Sequence, residues 1–288
     1  ETPVRRGAAG GTVYAYVPPA ATKPHGAYHA KEERRNDQPS PVTTPHPLSY
    51  TNTHDRIPKH MNTADFQNEL VTTGSYETPE DLRISLLNRI LKRSDAWVYT
   101  KIIGNLCDAN FLTRIGKFHM KAWARQAGMM RRTFEFSGAK IRIEGFQHVM
   151  DVKGPRIYVA NHMSLLETFI FAEFCAIPSE VSVVLKQSLM NYPLIGRVLH
   201  STRAIVVTRT NPREDLKTVL SEGEKLLREG RSVMVFPQAT RTHWFEPSRF
   251  NSIGVKLAKT AGVPIVPLAL KTDFLRVGKR IRDFGSFD

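Results

Sequence analysis

His162 and Glu167 are the two side chains of this sequence whose types and spacing best suit proton transfer. They lie in the segment 158–167, YVANHMSLLE. Five residues apart on one continuous helix, they would point to different sides. A strand ending near Ala160, a turn holding Asn161 and His162, and a helix beginning after Ser164 would let them converge. A carboxylate beside an imidazole fixes its tautomer and stabilises the imidazolium formed when it takes a proton. Such a pair can activate a hydroxyl. A plainer role stays open: Ser164 followed three residues later by Glu167 is a capping-box pattern, in which Glu167 holds only the helix start.

The segment 233–242, VMVFPQATRT, delivers an apolar strand into a polar turn that contains Arg241. Ligands of open α/β sheets bind at the carboxyl ends of strands. The guanidinium fork of an arginine suits a phosphate, although a lone arginine in a surface loop is the commoner case. Lys186 and Arg209 stand near two further strand ends. The segment 262–268, GVPIVPL, is an apolar strand whose two prolines are explained by sheet packing.

These side chains need a scaffold, and the pattern from residue 134 onward supplies one. Short strands are expected at 134–136, 140–144, 156–160, 182–185, 204–208, 232–236 and 264–270. Helices are expected at 165–175, 215–229 and 253–261. The alternation predicts an α/β fold with a mixed, largely parallel sheet flanked by helices.

Upstream, 79–132 reads as a helical hairpin. Leu82, Leu86, Ile90 and Trp97 recur at near-helical spacing, and Asn110 can cap a second helix running through Trp123. Residues 82–132 carry 11 basic side chains and only two acidic ones, Asp95 and Asp108. Apolar faces opposite a Lys/Arg-rich face suit a helix pair lying in a membrane interface, and suit equally a hairpin packed on the next domain. Residues 1–60 hold nine of the 18 prolines and show no apolar period, so they read as a disordered extension. The expected organisation is therefore 1–60 extension, 61–132 basic helical hairpin and 133–288 α/β domain.

Composition narrows the function. The chain has 288 residues, 41% hydrophobic and 24% charged, which excludes a fully disordered or multispan membrane protein. Cys107 and Cys175 cannot build a disulfide scaffold or a four-cysteine zinc site. The longest apolar stretch, 157–177, would carry His162, Glu167 and Glu173 into lipid, so no transmembrane helix is expected. The net charge of +14 favours an anionic partner. Nucleic acid is disfavoured, because no helix-turn-helix, zinc-finger or RNA-recognition pattern occurs. The first residue is not Met and no signal-peptide pattern is visible, as for a processed product or a fragment.

Taken together, the segments resemble the glycerolipid acyltransferase family, which includes 1-acylglycerol-3-phosphate acyltransferases. Asn161 and His162 match its Asn-His-x-x-x-x-Asp block, with Glu167 at the Asp position. Arg209 matches the end of a second block, Phe236, Pro237, Thr240 and Arg241 match Phe-Pro-Glu-Gly-Thr-Arg, and residues 263–267 match Val-Pro-Ile-Val-Pro. The resemblance covers roughly residues 138–270. It implies that His162 is the general base on a lysophospholipid hydroxyl, held by Glu167, with attack on an acyl thioester of CoA or acyl carrier protein. Arg241, Arg209, Lys186 and Thr240 would bind the acceptor phosphate, with Asn161, Ser164 and Gln238 in support. No metal or cofactor is implied beyond that acyl donor. The product would be phosphatidate, and the helices before the sheet would dock on an anionic membrane surface, at its cytoplasmic face.

Four positions depart from the family pattern: Glu167 for Asp, Gln238 for Glu, Ala239 for Gly, and Arg203 where a strand often starts with Gly. The first three, with the Pro-rich stretch at residues 1–60, motivate an alternative, a non-catalytic lipid-binding or scaffold protein on the same fold.

Overall fold

The computed structural model describes residues 11–18, 61–82, 90–91, 95–238, 240–242, 247–275, 278 and 285–287. The strands are β1 (Thr12–Tyr16), β2 (Tyr76–Glu77), β3 (Lys140–Glu144), β4 (Ile157–Ala160), β5 (Val181–Lys186), β6 (Ile205–Val207), β7 (Ser232–Val235) and β8 (Ile265–Thr272). The helices are α1 (Thr63–Thr73), α2 (Asp95–Arg114), α3 (Met120–Phe136), α4 (Gln147–Asp151), α5 (Leu166–Cys175), α6 (Ile195–Ser201), α7 (Pro212–Arg228) and α8 (Ile253–Ala261). A 3₁₀ turn, Gln187–Asn191, leads from β5 towards α6.

The strands form one sheet in the order β2-β3-β1-β8-β4-β7-β5-β6. From β8 to β6 all neighbours are parallel, whereas β1 runs antiparallel to β8 and β2 antiparallel to β3. The carboxyl ends of β8, β4, β7, β5 and β6 therefore share one edge. Because successive side chains of a strand face opposite sides, two cores form. Tyr158, Ala160, Met234 and Leu268 pack with α3 and α5 on one face. Ile157, Val233 and Val235 pack with Val219, Leu226 and Leu257 of α7 and α8 on the other.

The N-terminal expectation fails at residues 12–16. Thr12–Tyr16 is a strand, paired with both β3 and β8, and Val13, Ala15 and Val17 are buried. Its period-2 alternation was masked by the surrounding Pro- and Gly-rich composition, and both its partners lie more than a hundred residues away in sequence. The expected division at 132/133 falls inside α3, which packs along α5, so the hairpin is not a separate unit. Residues 134–136, expected as a strand, are the last turn of that helix, where burial of Phe134 outweighs aromatic β-propensity. Asn110 does not cap a helix; it lies inside α2, and the chain breaks at Gly116, with φ 68°, instead. Most of the helix expected from Leu82 lies outside the described residues.

A buried ionic knot fastens α1, α3 and α5. Arg131 pairs with Glu135 and Glu173, both at 2.8 Å, and stacks over the rings of Phe66 and Tyr76. Burial works against the Arg131 charge, but Glu173 and Glu135 overcome it and raise its proton affinity. Two carboxylates share this one guanidinium, and burial pushes the Glu173 carboxyl up. Gly128 is needed here, since a Cβ at that position would lie 2.4 Å from Glu173 Oε1.

Candidate active site at the carboxyl edge of the sheet

β4 ends at Ala160 and hands the chain to a turn in which Asn161 extends the ladder with its side chain. The amide of Leu270 donates to Asn161 Oδ1 at 2.7 Å, and Asn161 Nδ2 donates back to the Leu270 carbonyl at 2.7 Å. This fixes the start of the turn against β8. α5 begins at Leu166, and its first turn brings Glu167 under His162.

His162 Nδ1 lies 2.9 Å from Glu167 Oε1. The same oxygen accepts the amides of Met163 at 2.7 Å and Ser164 at 2.8 Å, while Oε2 accepts the Ser164 hydroxyl at 2.8 Å. Ser164 Oγ in turn accepts the Leu166 amide at 3.0 Å. Glu167 thus fills both roles left open by the sequence: it organises the helix start and it holds the imidazole. Burial disfavours its charge, but the His162 hydrogen bond, the His162 charge and the Ser164 amide outweigh burial and keep the carboxyl below its ordinary range. An ionised carboxylate only accepts, so the Nδ1 facing it carries a proton, and in the neutral imidazole the lone pair is then on Nε2. His162 remains 17% exposed, which leaves that nitrogen reachable, while Glu167 at 3% is sealed from water.

A three-bond ring clasps His162 from the β7 side. Its amide donates to Gln238 Oε1 at 2.9 Å, Gln238 Nε2 donates to Thr242 Oγ1 at 3.0 Å, and the Thr242 amide donates to the His162 carbonyl at 3.0 Å. Phe236 stacks on the imidazole, with ring centroids 4.6 Å apart. Phe236 and Thr242 were not singled out as site residues from the sequence. An aromatic directly after an apolar strand, and a hydroxyl four residues after Gln238, were the available signals.

The cationic candidates line the same edge at increasing range. Thr240 and Arg241 sit in the clasp loop, with the Thr240 amide bonded to the Gln238 carbonyl at 2.7 Å and Arg241 next to Thr242. Lys186 ends β5, two strands from β4, and Arg209 follows β6, three strands away. At about 4.8 Å per strand these offsets are about 10 and about 14 Å. Arg209 has φ 63°, held by its amide's bond to Asp215 at 2.7 Å. Arg203 takes the left-handed conformation, φ 55°, that a glycine adopts without strain, and pairs with Glu229. Ala239 lies outside the described residues.

Below the dyad, a cavity of about 20 Å³ opens between α5 and the sheet. Glu167 and Phe236 line it beside His162, and Ile170, Phe171, Val13 and Ala15 continue it as an apolar slot. β1 therefore supplies part of its floor. Among the described residues, no group of three or more His, Cys, Asp or Glu side chains could hold a metal ion.

Residues 140–271 match the family described as Acyltransferase. Over 153 residues the chain is 29% identical to the 1-acyl-sn-glycerol-3-phosphate acyltransferase of Pseudomonas aeruginosa, covering 53% of this chain and 57% of that one. The enzyme of that name from Saccharomyces cerevisiae is 26% identical over 183 residues, covering 63% and 57%. The chain thus spans a little over half the length of these relatives. The crystal structure of the 1-acyl-sn-glycerophosphate acyltransferase PlsC from Thermotoga maritima shares 17% identity at a TM-score of 0.39, over 65% of this chain and 83% of that one. The family match runs from the first residue of β3 to the next-to-last residue of β8. It takes in every strand whose end builds the edge around His162, so the part of the chain that is similar to the Acyltransferase family is the part that carries the dyad.

Proposed function

We propose that the protein transfers a fatty acyl chain from an acyl thioester, carried by CoA or acyl carrier protein, to the free hydroxyl of 1-acylglycerol-3-phosphate, giving phosphatidate. The observation that carries this reading is the 2.9 Å contact of His162 Nδ1 with a buried, saturated carboxylate. It leaves Nε2 poised to take a hydroxyl proton. The alkoxide oxygen attacks the thioester carbonyl, the carbon–sulfur bond breaks, and His162 returns the proton to the departing thiolate. Glu167 stabilises the imidazolium between those steps. Arg241, one strand away, receives the acceptor phosphate, while Lys186 and Arg209 extend the positive edge. The apolar slot beside Glu167 gives the acyl chain a dry continuation, and α5 must shift to admit it, since about 20 Å³ holds roughly one water.

The non-catalytic alternative loses one of its motives, because the longer arm of Glu167 reaches His162 while still holding the Ser164 amide. The acceptor is a lipid, so the protein works at an anionic membrane surface, at its cytoplasmic face. Among the described residues no helix is long and apolar enough to cross a membrane. The basic residues of α2 and α3 supply the attraction instead. The test is thiol release from an acyl thioester with lysophosphatidate as acceptor. Activity that drops by about 10² to 10⁴ in His162→Ala supports the assignment; equal rates for the two proteins refute it.

A further inference from the structure

The chain between β5 and α6 holds a backbone anomaly that catalysis does not use. Leu194 has φ 65° and ψ −47°. The Ile195 amide donates to the Pro193 carbonyl at 2.8 Å, so residues 193–195 form a γ-turn of the rare, strained hand, centred on a leucine. Non-glycine residues adopt this conformation only where their surroundings enforce it, and such outliers gather at functional positions. Three contacts enforce it here. Asn110 Nδ2 of α2 donates to the Leu194 carbonyl at 2.9 Å, and the Gly196 amide donates to the Tyr192 carbonyl at 2.9 Å. Gly196 also leaves room for the Met190 carbonyl, which a Cβ would meet at 2.0 Å.

The turn does not bury its apolar side chains. Tyr192 is 47% exposed and Leu194 37%. Asn110 lies at the border of the buried face of α2, and the adjoining outward arc carries Ile103, Phe111 and, just beyond the helix, Ile115. All three are exposed, Phe111 at 57%. Ala109 of α2 and Val198 of α6 pack together, so the knuckle and the arc belong to one rigid surface. Its surroundings are cationic. Residues 95–125 carry five basic side chains against two acidic ones, and residues 186–203 carry three against none. The surface adjoins the carboxyl edge of the sheet, because Lys186 is followed directly by the 3₁₀ turn leading to Tyr192.

We infer that the Tyr192–Leu194 knuckle is a membrane anchor: with Phe111 and Ile115 it inserts into an anionic lipid surface and holds the His162 edge against the bilayer. This deepens the lipid-acyltransferase reading by assigning the docking to a second element beside the basic helices. Exposed apolar side chains in stretches with an excess of lysine and arginine match an interface whose acyl layer takes the former and whose phosphates take the latter. A second protein copy would have to face the same excess of positive charge, eight basic side chains against two acidic ones in these two stretches.

The test is sedimentation of the purified full chain with vesicles of phosphatidylcholine alone and of phosphatidylcholine mixed with phosphatidylglycerol. Wild type is expected to bind the mixed vesicles and to release them as salt rises. Leu194→Gly keeps a backbone that tolerates the turn and removes only the apolar chain; Tyr192→Ser and Phe111→Ser each remove a further anchor. Each is expected to weaken binding by about tenfold, while Val255→Ser, at an exposed apolar position on α8 across the sheet, leaves it unchanged. Circular dichroism and melting of each variant confirm that it is folded. Wild-type affinity in Leu194→Gly and Tyr192→Ser overturns the proposal. So does a concentration-dependent dimer that these variants disperse without any vesicle binding by wild type. Thiol release is scored separately: vesicle binding lost in the variants with no turnover by any protein would sink the acyltransferase reading and leave the anchor standing.

Discussion

His162 Nδ1 and the Ser164 amide share one oxygen of Glu167, at 2.9 and 2.8 Å. Catalytic orientation and helix initiation are therefore one event, and substitutions at 167 separate into two kinds. Glu167→Gln keeps the length and an acceptor oxygen, so the helix start survives, but it removes the charge that stabilises the imidazolium. Its rate is expected to fall by about 10² to 10⁴ with the melting temperature nearly kept. Glu167→Asp restores the residue the family pattern calls for, yet shortens the arm by one methylene in a turn built around the longer one. A loss of about a hundredfold is expected, as for a misplacement of about 1 Å. Thiol-release rates decide both, and an Asp variant faster than wild type would contradict this geometry.

The same carboxylate sets a pH dependence of stability. Its folded proton affinity is depressed from the ordinary value of 4.5. A depressed carboxylate adds stability that is fully present above the unfolded value and is lost as pH falls through the folded one. The stability difference between wild type and Glu167→Gln should thus be constant above pH 4.5 and shrink below it. Urea melts from about pH 6 to about pH 3 measure it; a difference that stays flat throughout would mean that folding leaves the proton affinity of this carboxyl unchanged.

The part of the fold legible in sequence was the part whose signals are local. β4, β5, β7 and β8 are apolar runs in an α/β alternation, and the turn after β4 was placed because a strand, a polar pair and a cap follow one another within ten residues. Gln238 was named from the sequence but its ring with Thr242 was not legible, because the ring closes on the backbone amide and carbonyl of His162, 76 and 80 positions away, and those groups carry no residue-type signal. β1 was hidden for a related reason: five residues with two tyrosines become a strand only once β3 and β8 exist to flank them. The sharing of two Glu carboxylates by Arg131 spans α3 and α5 and looks, in sequence, like an ordinary charged helix face.

Arg131 offers a stability test independent of activity. Arg131→Met leaves Glu135 and Glu173 buried without their cation, which should cost about 3–5 kcal/mol. Adding Glu135→Gln and Glu173→Gln removes those charges and should recover more than half of the loss. Urea denaturation of the single and triple variants provides the comparison. Equal losses would show that packing of the guanidinium over Phe66 and Tyr76, rather than its charge, holds the knot.

Removal of residues 1–60 tests the integration of β1. A protein starting at Met61 would expose the edges of β3 and β8 and lose the burial of Val13, Ala15 and Val17, the valines being worth about 1.5–3 kcal/mol each. An aggregated or molten product by circular dichroism and gel filtration is expected. A soluble product melting as wild type would mean that the sheet closes without this strand.

Gln238 closes the ring around His162, and its amide has a direction that a carboxylate lacks. Oε1 accepts the His162 amide, and Nε2 donates to Thr242. Gln238→Ala leaves the His162 amide without its acceptor and frees the turn, so the rate should fall by about a hundredfold through mispositioning of the imidazole. Gln238→Glu can keep both contacts, since the Thr242 hydroxyl can rotate to donate. The ring would then contain a buried titratable group next to a second carboxylate, Glu167, which disfavours the charged form. The rate of Gln238→Glu should stay within about tenfold of wild type at its best pH, yet gain a pH-dependent limb that wild type lacks. The pH profile of thiol release measures this. Superimposable profiles for the two proteins would show that the ring transmits nothing to His162, and an unimpaired Gln238→Ala would show that the turn needs no clasp.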